Sequence, residues 1–174
     1  MRRSLLCIAA LTFLFSSLSL AQSTTARFDL FGGYSYLRSN PGGGSESANS
    51  SGWEASAGWN WNRWLGFKAD LDGHYCCDGQ TEHNFLFGPQ ITVRKSRADF
   101  FAHGLIGVSH GTASGFSDTP LAWAIGGGLD LKFKRFSRVG FRVIQADYLG
   151  THYSDSVQNN FRYSTGIVFH IGKK

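Results

Sequence analysis

Cysteine is nearly absent from this chain of 174 residues, with three in all. Cys7 falls in an N-terminal apolar run, which leaves only the adjacent pair Cys76 and Cys77, so no disulfide framework can staple the fold. Proline is as scarce at three residues. No stretch carries a sustained helical period, which argues against a helical bundle. The N-terminal run, Leu5 to Phe15, falls well short of the about 20 residues a spanning helix needs. Charge of one sign is also missing: the formal net charge is +5, and the basic residues are scattered or sit in turns, so no nucleic-acid partner is expected. Dinucleotide and phosphate motifs are lacking, and Gly126 to Gly128 lie inside a strand pattern, so no cofactor is expected.

What is present begins with Arg2 and Arg3, then the apolar run, then Ser19-Leu20-Ala21. This is the layout of a secretory signal peptide over residues 1–21, leaving 22–174 as one domain. Glycine and aromatic residues are abundant and favour strands. Period-two alternation predicts eight of them: 26–38, 52–62, 64–75, 83–94, 98–110, 120–133, 138–150 and 160–171. In the second, Trp53, Ala55, Ala57, Trp59 and Trp61 share one face while Glu54, Ser56, Gly58 and Asn60 share the other. The fifth is apolar on both faces, and the seventh loses phase near Ile144, which suggests a bulge. The connectors alternate: long and polar after the odd strands, tight and basic after the even ones.

A sheet in hydrocarbon survives only if it closes on itself, and its strands need roughly 9 to 11 residues to cross. These segments have that length, so the pattern predicts an all-β, eight-stranded antiparallel up-and-down transmembrane β-barrel. A secreted soluble barrel of lipocalin type would turn the same residues the other way and bury nearly all five tryptophans. In the membrane reading, Lys68, Asp70, Asp72, Asp130, Lys132, Arg142 and Arg162 point inward, and an eight-stranded interior is just filled by side chains. Opposite charges there form either a paired plug or a narrow ion pathway.

The opening strand "FDLFGGYSYLR", the hairpin "GWEASAGWNWNRWLGFKADL", the glycine-rich "LAWAIGGGLDLKF" and the closing strand "FRYSTGIVFHI" carry a resemblance to the OmpA/OmpX-like family of small outer-membrane β-barrels, over essentially the whole of 22–174. The resemblance implies a bacterial outer-membrane protein, exported through the periplasm, with long loops outside and short turns in the periplasm. It implies outer-membrane lipid and lipopolysaccharide as surroundings, and periplasmic chaperones and the barrel-assembly machinery as partners during biogenesis. Such chains end in an assembly signal, whose spacing Ser164, Gly166, Phe169 and Ile171 fit, although Gly172-Lys173-Lys174 follows instead of a terminal aromatic. A monomer is expected, with a structural or surface-interaction role through the long loops.

Two constellations suggest other chemistry. His152 and Ser154 resemble the His-x-Ser pair of PagL-type lipid A deacylases, and a histidine two residues from a serine on a strand can act as its general base. The matching acid is absent from the neighbouring stretch "YSTGIVF", so the chain is read as a non-enzyme and these two as polar rim residues. The loop "HYCCDGQTEH" offers His74, Cys76 and His83 as metal ligands, but adjacent cysteines suit one tetrahedral zinc poorly, and a hairpin tip at the outer rim is the preferred reading.

Overall fold

The computed structural model describes residues 26–40, 47–76, 80–113, 116–133, 135–136, 138–152 and 157–172; the signal-peptide segment lies outside them. Nine strand segments are present: β1 (Phe28–Ser39), β2 (Ala48–Asn60), β3 (Leu65–Tyr75), β4 (Thr81–Arg94), β5 (Ala98–Ala113), β6 (Phe116–Asp118), β7 (Leu121–Lys132), β8 (Val139–His152) and β9 (Val157–Ile171). All pairings are antiparallel, and the order β4-β3-β2-β1-β9-β8-β7-β5 is closed by β4 pairing with β5. Eight strands therefore make the barrel. The short β6 folds back on the end of β5, pairing Ala113 with Phe116 and Gly111 with Asp118.

The short β6, the extension of β5 to Ala113 and the early start of β2 at Ala48 lie beyond the alternating pattern. Sequences such as "ANSS" and "GTA" have no apolar face to reveal them. Where both faces of a sheet meet water no alternation is required, so hydrogen bonding continues unannounced.

The faces are sorted as lipid demands. Trp53, Trp59, Phe67, Phe85, Phe87, Ile106, Ile125, Phe161 and Phe169 are exposed on the outside, while Glu54, Lys68, Asp70, Asp72, Asp130, Arg142 and Arg162 are buried inside. This is opposite to a soluble lipocalin-type barrel, whose charges would face out. Inside, Leu37, Leu86, Leu105, Ala122, Ala124 and Leu149 form a small apolar layer. Its need for Leu105 explains why β5 reads as apolar on both faces.

β8 carries the irregularity foreseen near Ile144: its pairing with β9 shifts between Arg142 and Gln145, and with β7 between Leu129 and Asp130. Val143 and Ile144 both face outward, so the inward set changes from Gly140 and Arg142 to Gln145, Asp147, Leu149 and Thr151. The seam between the first and last strands pairs Gly33 on β1 with Gly166 on β9. A Cβ on either would collide with the opposing backbone, so the two strands meet here only because both residues lack side chains.

Candidate functional site

The alternation of β3 places Lys68, Asp70, Asp72 and His74 in one inward row. β2 adds Glu54, β9 adds Arg162 and Ser164, and β8 beyond its bulge adds Gln145 and Asp147. The Arg162 guanidinium is fully buried at the centre. It donates to Asp147 Oδ2 from Nη2 at 2.6 Å and Nε at 3.0 Å, to Asp70 from Nη2 at 3.0 Å, and to Asp72 from Nη1; Glu54 lies at 3.8 Å. Lys68 Nζ lies 2.9 Å from Asp70 and donates to Glu54 at 3.4 Å and to Gln145 Oε1 at 3.1 Å. Ser164 donates to Glu54, and Gln145 bridges Glu54 and Asp147 at 2.9 and 2.7 Å. His74 and His103 lie against Asp72 and Asp147 at 3.1 and 2.9 Å.

Four carboxylates thus surround two cations and two imidazoles in an interior closed to bulk solvent. Buried charges are tolerated when they are paired and hydrogen-bonded in this way. Oxygens of Glu54, Asp70 and Asp147 lie within 4.8 Å of one another, as metal ligands would. Arg162 and Lys68 already place two cations among these oxygens, so the protein's own side chains occupy the position a metal ion would take.

A second pair lies alongside. Arg142 grips Asp130 through Nε and Nη2 at 2.8 and 3.0 Å, and its guanidinium sits 4.2 Å from the ring centres of both Phe31 and Phe101. Of the seven charged residues expected inside, six are buried; Lys132 is half-buried near the short-turn end and pairs with Asp99 at 2.6 Å. Sequence reading missed Glu54, Asp147, Gln145 and His103 as members. Glu54 was visible on the wet face of its strand, whereas Asp147 and Gln145 lie past the bulge, where the alternation no longer tells inside from outside.

Above the network, at the long-loop end, a cavity of about 560 Å3 opens between the strand ends. His74, Glu82, Gln80, Ser117, Asp118 and Gln158 are among its lining. His74 is buried, bonds Ser35 at 2.9 Å, and connects the cavity to Asp72 and so to Arg162.

The proposed metal trio is not assembled. His74 pairs across the sheet with Glu82, whereas His83 pairs with Gly73, one residue out of phase. His83 therefore stands on the outer face against the Tyr75 ring, 5.7 Å between centres, while His74 points inward. Cys76 lines the cavity, and Cys77 lies outside the described residues. His152 is exposed at the end of β8, paired with Leu121 and Val157, and Ser154 lies outside the described residues. In the terminal pattern Ser164 is an interior hydrogen-bonding residue between Glu54 and Ser35, Gly166 forms the seam, and Phe169 and Ile171 face outward among the exposed apolar residues.

A family model described as the outer membrane protein β-barrel domain matches residues 7–172. Among solved structures, Neisserial surface protein A superposes with a TM-score of 0.68 at 11% identity, covering 84% of this chain and 98% of that one. Ail, the attachment invasion locus protein of Yersinia pestis, superposes at 0.56 with 17% identity, covering 83% and 99%. A second Ail structure, in complex with the heparin analogue sucrose octasulfate, superposes at 0.55 with 15% identity and the same coverage. No curated protein sequence matches the chain.

Proposed function

Because the chain belongs to the outer membrane protein β-barrel domain family, and so resides in the bacterial outer membrane, we propose that it works as a passive barrel presenting its long loops for surface interaction. The observation that carries this reading is the contrast between the two halves of the interior. The middle is filled by the Arg162-centred network, while the long-loop end opens into a cavity ringed by strand ends and the β5–β6 hairpin. A site built this way recognises something outside and passes nothing through. The long loops face the exterior, and the short turns face the periplasm.

The loops also favour one ligand chemistry. The four long connections contain Glu46, Asp78, Asp118 and Asp155 and neither lysine nor arginine, and Glu82 adds a further acid to the cavity. Ail has been crystallised with a polysulfated heparin analogue. The acidic mouth of the present chain instead suits cationic or neutral polar groups, such as basic peptide segments, since like charges repel across an interface.

The test is binding of nanodisc-embedded protein to an array carrying basic peptides, matrix proteins and sulfated glycans, beside a variant whose four long connections are replaced by Gly-Ser. Signals on basic or neutral features that vanish with the loop replacement support the reading. Binding no greater than that of empty nanodiscs, or confined to the sulfated glycans, refutes it.

A further inference from the structure

The short-turn end of the barrel carries a charge pattern that the loop reading does not use. Its three turns read Trp61-Asn-Arg-Trp64, Lys95-Ser-Arg97 and Phe133-Lys-Arg-Phe-Ser-Arg138, and none contains an aspartate or glutamate. Arg27, Arg63, Lys95, Arg97, Arg135 and Arg138 are all exposed there. None of the six forms an ion pair with another described residue. The acids at this end are engaged inside the wall: Asp29 by His170 at 2.7 Å and Arg94 at 3.5 Å, and Asp99 by Lys132 at 2.6 Å.

Between these cations stand aromatic rings directed outward, with Trp61 57% exposed, Trp64 50% and Phe136 60%. Tryptophan and other aromatic rings at the end of a lipid-facing wall lie at the level of the headgroups. In two of the three turns the basic side chains are interleaved with these rings, and the third lies at the same end of the barrel, so their charged tips reach the same level, as long cationic side chains do at an interface. The long-loop end has the opposite composition: acids in every long connection and no lysine or arginine in any of them.

We infer that the short-turn rim is a binding collar for anionic phospholipid headgroups of the leaflet that surrounds it. Six exposed cations without acidic partners, one of them (Arg27) over the Phe28 ring at 5.8 Å, set among interfacial aromatics, fit a ring of singly charged phosphodiesters with additional headgroup hydroxyls. A zwitterionic headgroup presents an ammonium to the same cations and gains less from them. The two ends of the barrel thus select opposite charges, anions at the short-turn rim and cationic or neutral groups at the acidic loops.

The experiment is native mass spectrometry of the full chain released from nanodiscs of mixed phosphatidylglycerol and phosphatidylcholine, with retained lipids counted at low and high salt. The collar predicts preferential retention of phosphatidylglycerol that weakens with salt. The combined variant Arg63→Gln, Lys95→Gln, Arg97→Gln, Arg135→Gln and Arg138→Gln loses about tenfold or more of that preference. Arg38→Gln, at the long-loop end, leaves it unchanged, and heat-modifiable migration on SDS gels establishes that each variant is folded. Equal retention of the two lipids by the unaltered chain, or undiminished preference in the combined variant, overturns the inference. So does capture of soluble dextran sulfate by the same residues without any lipid preference, which would point to a soluble polyanion instead.

Discussion

Arg162 is the side chain whose loss tests the interior most directly. In Arg162→Met, Glu54, Asp70, Asp72 and Asp147 face Lys68 as the only remaining permanent cation, in a space with no exposure to solvent. Methionine fills most of the volume, and the aliphatic stem of arginine is already buried, so the substitution gains little from packing. Removing one partner of a buried ion pair costs about 3–5 kcal/mol, because the other charge is left without compensation. At about 1.4 kcal/mol per factor of ten, that is a loss of roughly two to four orders of magnitude in the folding equilibrium constant. The measurement is a urea titration of protein refolded into phospholipid vesicles, followed by tryptophan fluorescence and by heat-modifiable migration. Adding Asp72→Asn and Asp147→Asn to Arg162→Met removes two of the stranded charges at nearly constant shape and should recover more than half of the loss. A destabilisation below about 1 kcal/mol, the range of an exposed pair, would refute the claim that Arg162 organises the interior. Failure of the added asparagines to restore stability would refute the electrostatic explanation.

The remaining predictions concern the wall and the mouth. Gly166→Val should place methyl groups against the backbone of Gly32 and Gly33 and lower the yield of heat-modifiable barrel, with a cost of about 1–3 kcal/mol or more if the seam cannot widen; normal refolding would show that the glycine pair is dispensable. Deleting Ile144 should leave Val143 as the single outward residue between Arg142 and Gln145, keep Gln145, Asp147, Leu149 and Thr151 inward and preserve the compact gel form, whereas deleting Ala146 should turn Asp147, Leu149 and Thr151 toward lipid and abolish it; loss of the compact form in the first variant would refute the bulge assignment. Planar-bilayer recordings should show no steady conductance above background, because Arg162, Lys68 and their acids occupy the middle of the barrel; a reproducible single-channel level would favour the narrow-pathway reading. After mild reduction, a membrane-impermeant maleimide should label Cys76 or Cys77 on intact cells and fail on the Cys76→Ser, Cys77→Ser variant. Labelling that requires opening the outer membrane would reverse the orientation.

The barrel was legible wherever one face meets lipid and the other meets the packed interior, because that boundary writes apolar and polar residues alternately along each strand. Trp53 to Asn60 and Leu65 to His74 show it over their whole length, and their inward sets are those found in the structure. Legibility ends where the surroundings become uniform. Above the membrane, Ala48 to Ser51 and the paired ends of β5 and β6 consist mostly of small and polar residues and leave no apolar alternation. At the bulge of β8 the pattern remains but its phase changes, which hid Asp147 and Gln145 from a reading that nevertheless registered the break. The metal trio failed for a related reason: His74 and His83 are close in sequence, but the hairpin register separates them by the thickness of the wall.

His74 gives the mouth an unusual mechanical standing. Its ring lines the cavity, while its two nitrogens reach Ser35 and Asp72; Ser35 is hydrogen-bonded to Ser164, whose hydroxyl donates to Glu54, and Asp72 accepts from Arg162. An occupant that steadies His74 therefore tightens the fastening of the barrel itself, and binding to the folded state alone raises resistance to unfolding in proportion to its affinity and concentration. Ligands for this surface can accordingly be sought blind, by the denaturant each one makes the barrel withstand, before anything is known of what the loops meet in nature.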